Sequence, residues 1–478
     1  MNSIWTRSCS IDPRPPLQGD LAAEVVVIGG GLAGILTAYK LKELGKNVVV
    51  LEANRIASGQ TKNTTAKITA QHGAIYQKLM ETVGKDKAGE YALANSRAVA
   101  EYKRIIDKHS ISCDYEEKDA YLYSLNNEHI LRQEAQCAAL LGLPASFVTR
   151  SALPFPVAGL VKFECQAQFN PLKFIAGIAK DLTIYEDTRA ISVSGNTIKT
   201  NRGIVTAKQI VFACHFPFIN VPGLYFARMH QERSYVIALE NAPSLDGMFI
   251  SADEKGYSFR NYKSYLFLGG KNHRTGENSK GGSYDELESQ AKKWFPKSHV
   301  AARWSAQDCM TADNIPYIGK YSPGIPSWYV ATGFNKWGMT TSLAAANILS
   351  DLICDIKNPF GAVFAPTRFS FEDIPKIAME GAQAVKALAR ENIFIPPTIL
   401  KNLAIDHGGI VDLDGKKVGV YKAVDGKVYV VNTRCPHLGC QVEWNPDEKS
   451  WDCPCHGSRF DYTGRLLDNP AQEDITIE

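Results

Sequence analysis

Two stretches of the chain carry the strongest periodic signal. In the first, Glu24-Val-Val-Val-Ile28 is a short continuous apolar run of the kind buried in a parallel sheet. Leu32 to Leu44 then sets Leu32, Ile35, Leu36, Tyr39 and Leu41 at helical spacing, Gly45 supplies a C-terminal stop, and Asn47 to Leu51 is a second apolar run. Strand, glycine turn, helix and strand in that order predict a βαβ unit. Part of the pattern returns far downstream: Trp328 to Ala331 predicts a strand, Thr332 to Gly338 a glycine-bearing loop, and Met339 to Ile353 an apolar helix. A sheet begun near the N-terminus is therefore expected to be completed by distant sequence. Between these ends, Ile75 to His109 reads as helical, and Ala190 to Phe212 and Tyr235 to Gly270 read as strand-rich.

After Ile353 the pattern changes. Pro359 and Pro366 break the chain. Ile374 to Arg390 then predicts one helix, with Lys376, Glu380, Gln383, Lys386 and Arg390 on one face and Ile377, Val385 and Leu388 on another, ended by Pro396 and Pro397. From Gly409 onward short strands alternate with turn pairs such as Asp414-Gly415, Asp425-Gly426 and Thr463-Gly464, the mark of a small all-β domain. At 478 residues the chain exceeds one ordinary core, so two or three domains are expected.

Bulk composition adds exclusions. The longest apolar run, Val25 to Ile35, contains four glycines and predicts no transmembrane helix; Met1 to Leu21 lacks the apolar core of a secretory signal, so a cytoplasmic chain is expected. No block of like charge or basic-aromatic stripe suggests nucleic acid. The net charge is +3, but residues 401–478 carry −4 and the first 400 residues +7, an asymmetry suited to an acidic head docking on a basic body.

Of eleven cysteines, seven are scattered singly and four crowd between Cys435 and Cys455, a spacing that points to metal. The pattern is Cys435-x-His437, fifteen residues, then Cys453-x-x-His456. Zinc would accept the same atoms, and a pair of disulfides is the other alternative. The surrounding residues, Cys435-Pro-His-Leu-Gly-Cys440 and Cys453-Pro-Cys-His-Gly-Ser458, resemble the cytochrome bc type of Rieske protein over about residues 409–471. That resemblance implies a 2Fe-2S cluster on Cys435, His437, Cys453 and His456, and a disulfide between Cys440 and Cys455. It also implies that Ser458 bonds a cluster sulfur and raises the potential. Phe460 departs from the family pattern, which has tyrosine there, so one hydrogen bond to a cysteine sulfur is expected to be missing and the potential moderated.

Gly29-Gly-Gly31-Leu-Ala-Gly34 fits G-x-G-x-x-G after a strand and before a helix, with Glu52 ending the next strand. Glycines let the backbone approach a pyrophosphate at the helix N-terminus, and the carboxylate takes ribose hydroxyls. This pattern does not separate FAD from NAD. The segment Ser327 to Ser342, with Arg55 to Thr65 and Asp313-Asn-Ile-Pro-Tyr-Ile-Gly319, resembles the D-amino-acid oxidase and glycine oxidase family over about residues 22–354. The resemblance implies FAD held by Gly29, Gly31, Gly34, Glu52, Ala53, Arg55, Thr64, Thr65, Gly333, Gly338, Met339 and Thr340. The helix near Gly338 would point its positive end at the flavin.

Catalytic residues are not identified by the resemblance. Arg233, Tyr235, Arg260, Lys271 and His273 lie in the stretch expected to roof the flavin, where an arginine commonly clamps a carboxylate. Lys67 and His72, with Thr64 and Thr65, lie where the family's chain passes the flavin. Cys309 is a buried thiol or, as in some sarcosine-oxidase relatives, a covalent flavin anchor. The expected fold is an α/β FAD-binding Rossmann-like domain (1–72, 155–225, 305–355) with an interleaved α+β substrate domain (73–154, 226–304). A helical connector (356–400) and an all-β Rieske domain (401–478) follow. The expected function is a flavin-dependent dehydrogenase of a small amine or amino acid that passes electrons singly through the cluster to an external acceptor protein. Electrons flowing inward from a ferredoxin-like donor, or a non-catalytic carrier or sensor, are the alternatives.

Overall fold

The computed structural model describes residues 3–368, 403–413 and 415–477. Its first sheet is built around Leu21–Ile28, whose Val25, Val26 and Val27 are wholly buried, as a strand flanked on both edges and both faces requires. Val48–Leu51 lies parallel on one side and is followed outward by Thr183–Tyr185. On the other side lies Ile204–Phe212, and beyond it Ile325–Thr332, both parallel. The downstream strand thus completes the sheet, with Trp328 to Val330 registered on Ile210 to Phe212.

The helix Leu32–Glu43 departs from the single apolar face expected of it. Every residue from Leu32 to Tyr39 is buried, because the helix packs on the long helix Gly338–Ile353 as well as on the first strand, which its Gly34 approaches closely. Gly45 ends it in the left-handed region (φ +79°), with Lys46 N–H donating to Leu41 O at 3.0 Å and Gly45 N–H to Lys42 O at 2.9 Å. This double bond pattern satisfies carbonyls that the helix end would otherwise strand. The predicted helix after Ile75 spans Tyr76–Lys108 and is interrupted at Gly84, whose φ is +82°.

A second eight-stranded sheet roofs the first. Its edge pair is His299–Thr311 beside Met229–Glu240, followed by Tyr265–Arg274, Ser258–Tyr262 and Met248–Ser251. The C-terminal domain consists of a three-stranded sheet (His407–Leu413, Lys416–Lys422, Val428–Asn432) and a four-stranded one from Glu443 to Asp468. Its core includes Tyr421, Trp444, Trp451 and Phe460. The helix predicted over Ile374 to Arg390 lies outside the described residues. Among the described residues no helix is long and apolar enough to cross a membrane.

Candidate functional site

The glycine turn sits where the first parallel strand meets its helix. Gly29 has φ +111°, and a Cβ there would lie 2.5 Å from Ala213 O; one on Gly34 would lie 1.9 Å from Gly29 O. The first glycine is needed for the turn, and the third for contact between helix and strand. Gly34→Ala is expected to lower stability by about 1–3 kcal/mol, because backbone must move, and to reduce retained FAD. Thermal unfolding and flavin content after gel filtration check this. Glu52 ends the second strand with Oε2 accepting from Gly30 N–H at 2.7 Å and Oε1 from Asn54 N–H at 2.9 Å. Burial pushes this carboxyl above its usual range, and the two N–H groups pull it back.

A cavity of about 640 Å³ opens from this turn. Gly29, Gly31, Glu52, Ala53, Thr64 and Thr65 line it, as do Gly333, Gly338 and Met339 from the downstream loop and helix. The volume, the glycine cradle and the helix N-terminus at Gly338 fit a dinucleotide flavin. Gly34 stands behind the turn. Two other residues expected at the cofactor are engaged elsewhere. The Thr340 hydroxyl donates to Thr69 O at 2.8 Å and accepts from Thr69 N–H at 2.9 Å, and Arg55 pairs with Glu186 at 2.5 Å.

The candidate substrate residues separate. Lys67 lines the cavity, and its Nζ donates to Phe249 O at 3.2 Å. Burial, reinforced by the nearby Arg260 charge, pulls its ammonium down to about 7. Arg260 itself is tied to the carbonyls of Thr65, Ala66 and Phe169, and so braces the chain that carries Lys67. Lys271 pairs with Glu286 away from the cavity. His273 bonds the Tyr235 hydroxyl at 3.0 Å. His72 is engaged on both nitrogens, by Tyr91 OH and Thr69 O, and stacks on Trp337 at 4.8 Å. Cys309 lines the cavity as a thiol that burial pushes far up, donating to His215 O at 3.5 Å.

Arg233, expected as a clamp for a substrate carboxylate, holds a carboxylate of the chain's own C-terminal domain. Its Nε and Nη2 lie 3.0 and 2.7 Å from Glu448 Oε2. Burial alone would push Glu448 up, but the guanidinium groups of Arg233 and Arg459 hold it down at about 2. The head therefore seats on the roof sheet and forms one wall of the cavity through Glu448, Asp468, Asn469 and Ala471.

In the head, the two ligand loops meet. The rings of His437 and His456 are 4.8 Å apart and perpendicular, and both Nδ1 atoms are buried without a hydrogen-bond partner. Burial pulls the imidazoles down to about 4 and about 3, so both are neutral. The Cys453 thiol bonds the Cys435 sulfur, which is lowered by that bond and by one from Ser458. Two thiols and two orphaned, neutral imidazole nitrogens converging on one buried spot fit a two-iron cluster with mixed ligands. Cys440 and Cys455 form the expected disulfide, which leaves them out of the donor set although their sulfurs lie within 4.8 Å of Cys453 Sγ. Phe460 is wholly buried in the same core. Phe460→Tyr is expected to raise the cluster midpoint by adding a donor to a cysteine sulfur. A redox titration followed by EPR measures it, and an unchanged or lower midpoint rules the idea out.

The motifs do not point to the residues that join head and body. Gln231, Arg233 and Tyr235 alternate along one strand, and Ser305, Gln307 and Cys309 along its neighbour, in register Gln231 with Cys309, Arg233 with Gln307 and Tyr235 with Ser305. Polar residues at the buried phase of a two-residue alternation were the available signal. Asn220 bonds His437 Nε2 at 2.8 Å, and Asn469 Nδ2 donates to Cys214 O at 2.8 Å.

Comparison with known proteins agrees with this geometry. The family model described as FAD dependent oxidoreductase matches residues 24–352, and that of the Rieske [2Fe-2S] domain matches 401–477. The Rieske 2Fe-2S iron-sulfur protein YhfW of Bacillus subtilis is 35% identical over 98% of this chain and 96% of its own length. The cytochrome b6-f complex iron-sulfur subunit 1 of Nostoc sp. is 45% identical over 49 residues, 10% of this chain and 27% of that subunit. Among solved structures, L-proline dehydrogenase from P. horikoshii has a TM-score of 0.62 at 18% identity, covering 74% of this chain and 98% of that one. Glycine oxidase from Geobacillus kaustophilus has the same TM-score and identity, covering 73% and 100%. At that identity the two structures show the fold. The chain belongs to the FAD dependent oxidoreductases of the D-amino-acid oxidase family and carries a C-terminal Rieske [2Fe-2S] domain.

Proposed function

We propose that the protein is a dehydrogenase of a small amine or amino-acid-like substrate that sends electrons singly through its Rieske centre to an external acceptor. One observation carries this reading. A single cavity is walled by the glycine turn, by Lys67 and the roof strands, and by residues of the head. Bound FAD and the cluster supply a two-electron acceptor and a one-electron outlet respectively. Lys67, drawn down to about 7 and bonded to the Phe249 carbonyl, offers a lone pair at neutral pH. It takes the proton from the substrate ammonium and so frees the nitrogen lone pair that must push electrons out of the adjacent C–H bond. Tyr257, Ser258 and Trp304 line the same cavity, and the Trp304 indole is fixed by its bond to Asn63 O at 2.9 Å.

Anaerobic mixing with a panel of amines and amino acids tests the reading. Flavin bleaching followed by a Rieske EPR signal is the expected result. Should no compound bleach the flavin while a reduced ferredoxin fills the cluster, electrons run inward and the proposal fails.

A further inference from the structure

Three glutamines span the seam between body and head. Gln231 Nε2 donates to the carbonyl of the cluster ligand His456 at 2.6 Å and to Asn469 O at 3.2 Å. Gln307 Nε2 donates to Gly457 O at 2.8 Å and to Gln231 Oε1 at 2.5 Å. Gln60 receives the Gln307 backbone N–H at 2.7 Å and donates to Asp468 Oδ1 of the head at 2.8 Å. Gln231 and Gln307 are buried, and both Gln60 and Gln307 line the flavin cavity. Two amides therefore hold consecutive carbonyls of the ligand loop, His456 and Gly457, while one of them forms the cavity wall. A buried primary amide has several groups to satisfy, and the cross-bonded pair meets them only when the head is seated.

We infer that Gln231 and Gln307 are positioning residues that set the contact through which electrons cross from flavin to cluster within one chain. Tunnelling falls steeply with distance and with any break in bonded contact, so a bridge of wall, amide, carbonyl and ligand residue is favoured over a through-space gap. Substrate oxidation leaves two electrons on the flavin. One crosses and reduces the cluster by one electron; the second follows after the first has left for the one-electron acceptor, and the flavin proton goes to solvent. This inference rests on the outward electron path proposed above, but not on the identity of the substrate.

The test uses the full chain loaded with FAD and cluster. A laser flash with EDTA as electron donor reduces the bound flavin without substrate, and the cluster absorbance follows the crossing. In the unaltered protein the crossing rate is expected to be independent of protein concentration. Gln307→Leu and Gln231→Leu are each expected to slow it by about tenfold or more, with the cluster EPR signal and FAD content retained. Gln307→Met, which keeps the length but cannot donate to Gly457 O, is expected to slow it likewise and serves if a leucine variant does not fold. Asn278→Ala, which removes a different seam contact, Asn278 to Asp447 at 2.9 Å, is expected to leave the rate unchanged. The inference is overturned if loaded glutamine variants transfer at the unaltered rate, if Asn278→Ala slows transfer equally, or if the unaltered rate rises in proportion to protein concentration. Because the flash bypasses substrate, a panel in which no amine reacts would refute the proposed activity and leave this result standing.

Discussion

Lys67→Met is expected to slow substrate-driven flavin bleaching by about 10²- to 10⁴-fold while the protein still holds FAD, since proton transfer by a placed side chain contributes that much. Stopped-flow bleaching with the best amine of the panel measures it. In the unaltered protein the rate should rise with pH through about 7, as Lys67 loses its proton, and the variant should lack that limb. The same group affects stability with a defined sign. The unfolded chain keeps the Lys67 proton up to its ordinary value of 10.5, whereas the folded chain releases it above about 7. Between those values the unfolded state binds more protons, so rising pH favours the folded state. The burial penalty is fully present below about 7 and gone above 10.5. Lys67→Met removes the penalty, so its stability advantage over the unaltered protein should narrow steadily across that window. A flat rate profile, or a variant that bleaches normally, would remove Lys67 from the chemistry.

Arg233→Met is the second large effect. Arg233 is 1% exposed and Glu448 10%, and they meet across the seam. Deleting one partner leaves a buried charge uncompensated, which costs about 3–5 kcal/mol. Glu448 retains Arg459 at 3.2 Å, so the lower end, about 3 kcal/mol, is expected. The loss should appear as faster hydrogen exchange across Cys453 to Ser458 and weaker seating of the head. The double variant Arg233→Met with Glu448→Met should recover most of it, because both charges of the pair are then gone and Arg459 keeps Asp452 and Asp468. If the double variant is no better than the single, the pair is not what seats the head.

These two residues show how unevenly the site was legible. Lys67 could be nominated because it lies where the chain of the resembled family passes the flavin, yet its burial is set by tertiary packing, and the Arg260 charge that adds to its shifted proton affinity comes from nearly two hundred residues away. Arg233 could be nominated as a carboxylate binder, but nothing local identified its carboxylate as Glu448, more than two hundred residues downstream. Thr340 and Arg55 have side-chain partners that their places in the sequence did not announce. Their positions beside the expected flavin contacts suggested the cofactor, while their side chains are taken up by Thr69 and Glu186.

The chain's own order of residues determined the glycine turn, the strand and helix around it and the small all-β head, and it nominated the four candidate cluster ligands. Each of these is written in spacing over a few residues, where turn conformation and ligand reach are local. Tertiary structure alone decided that the late strand Ile325–Thr332 takes its register on Ile204–Phe212, that Gln231 and Gln307 meet, and that the head walls the cavity. Those facts depend on strand register and on which buried polar groups find partners across the seam. Both are settled by packing between segments that are distant in sequence, and no local pattern records them.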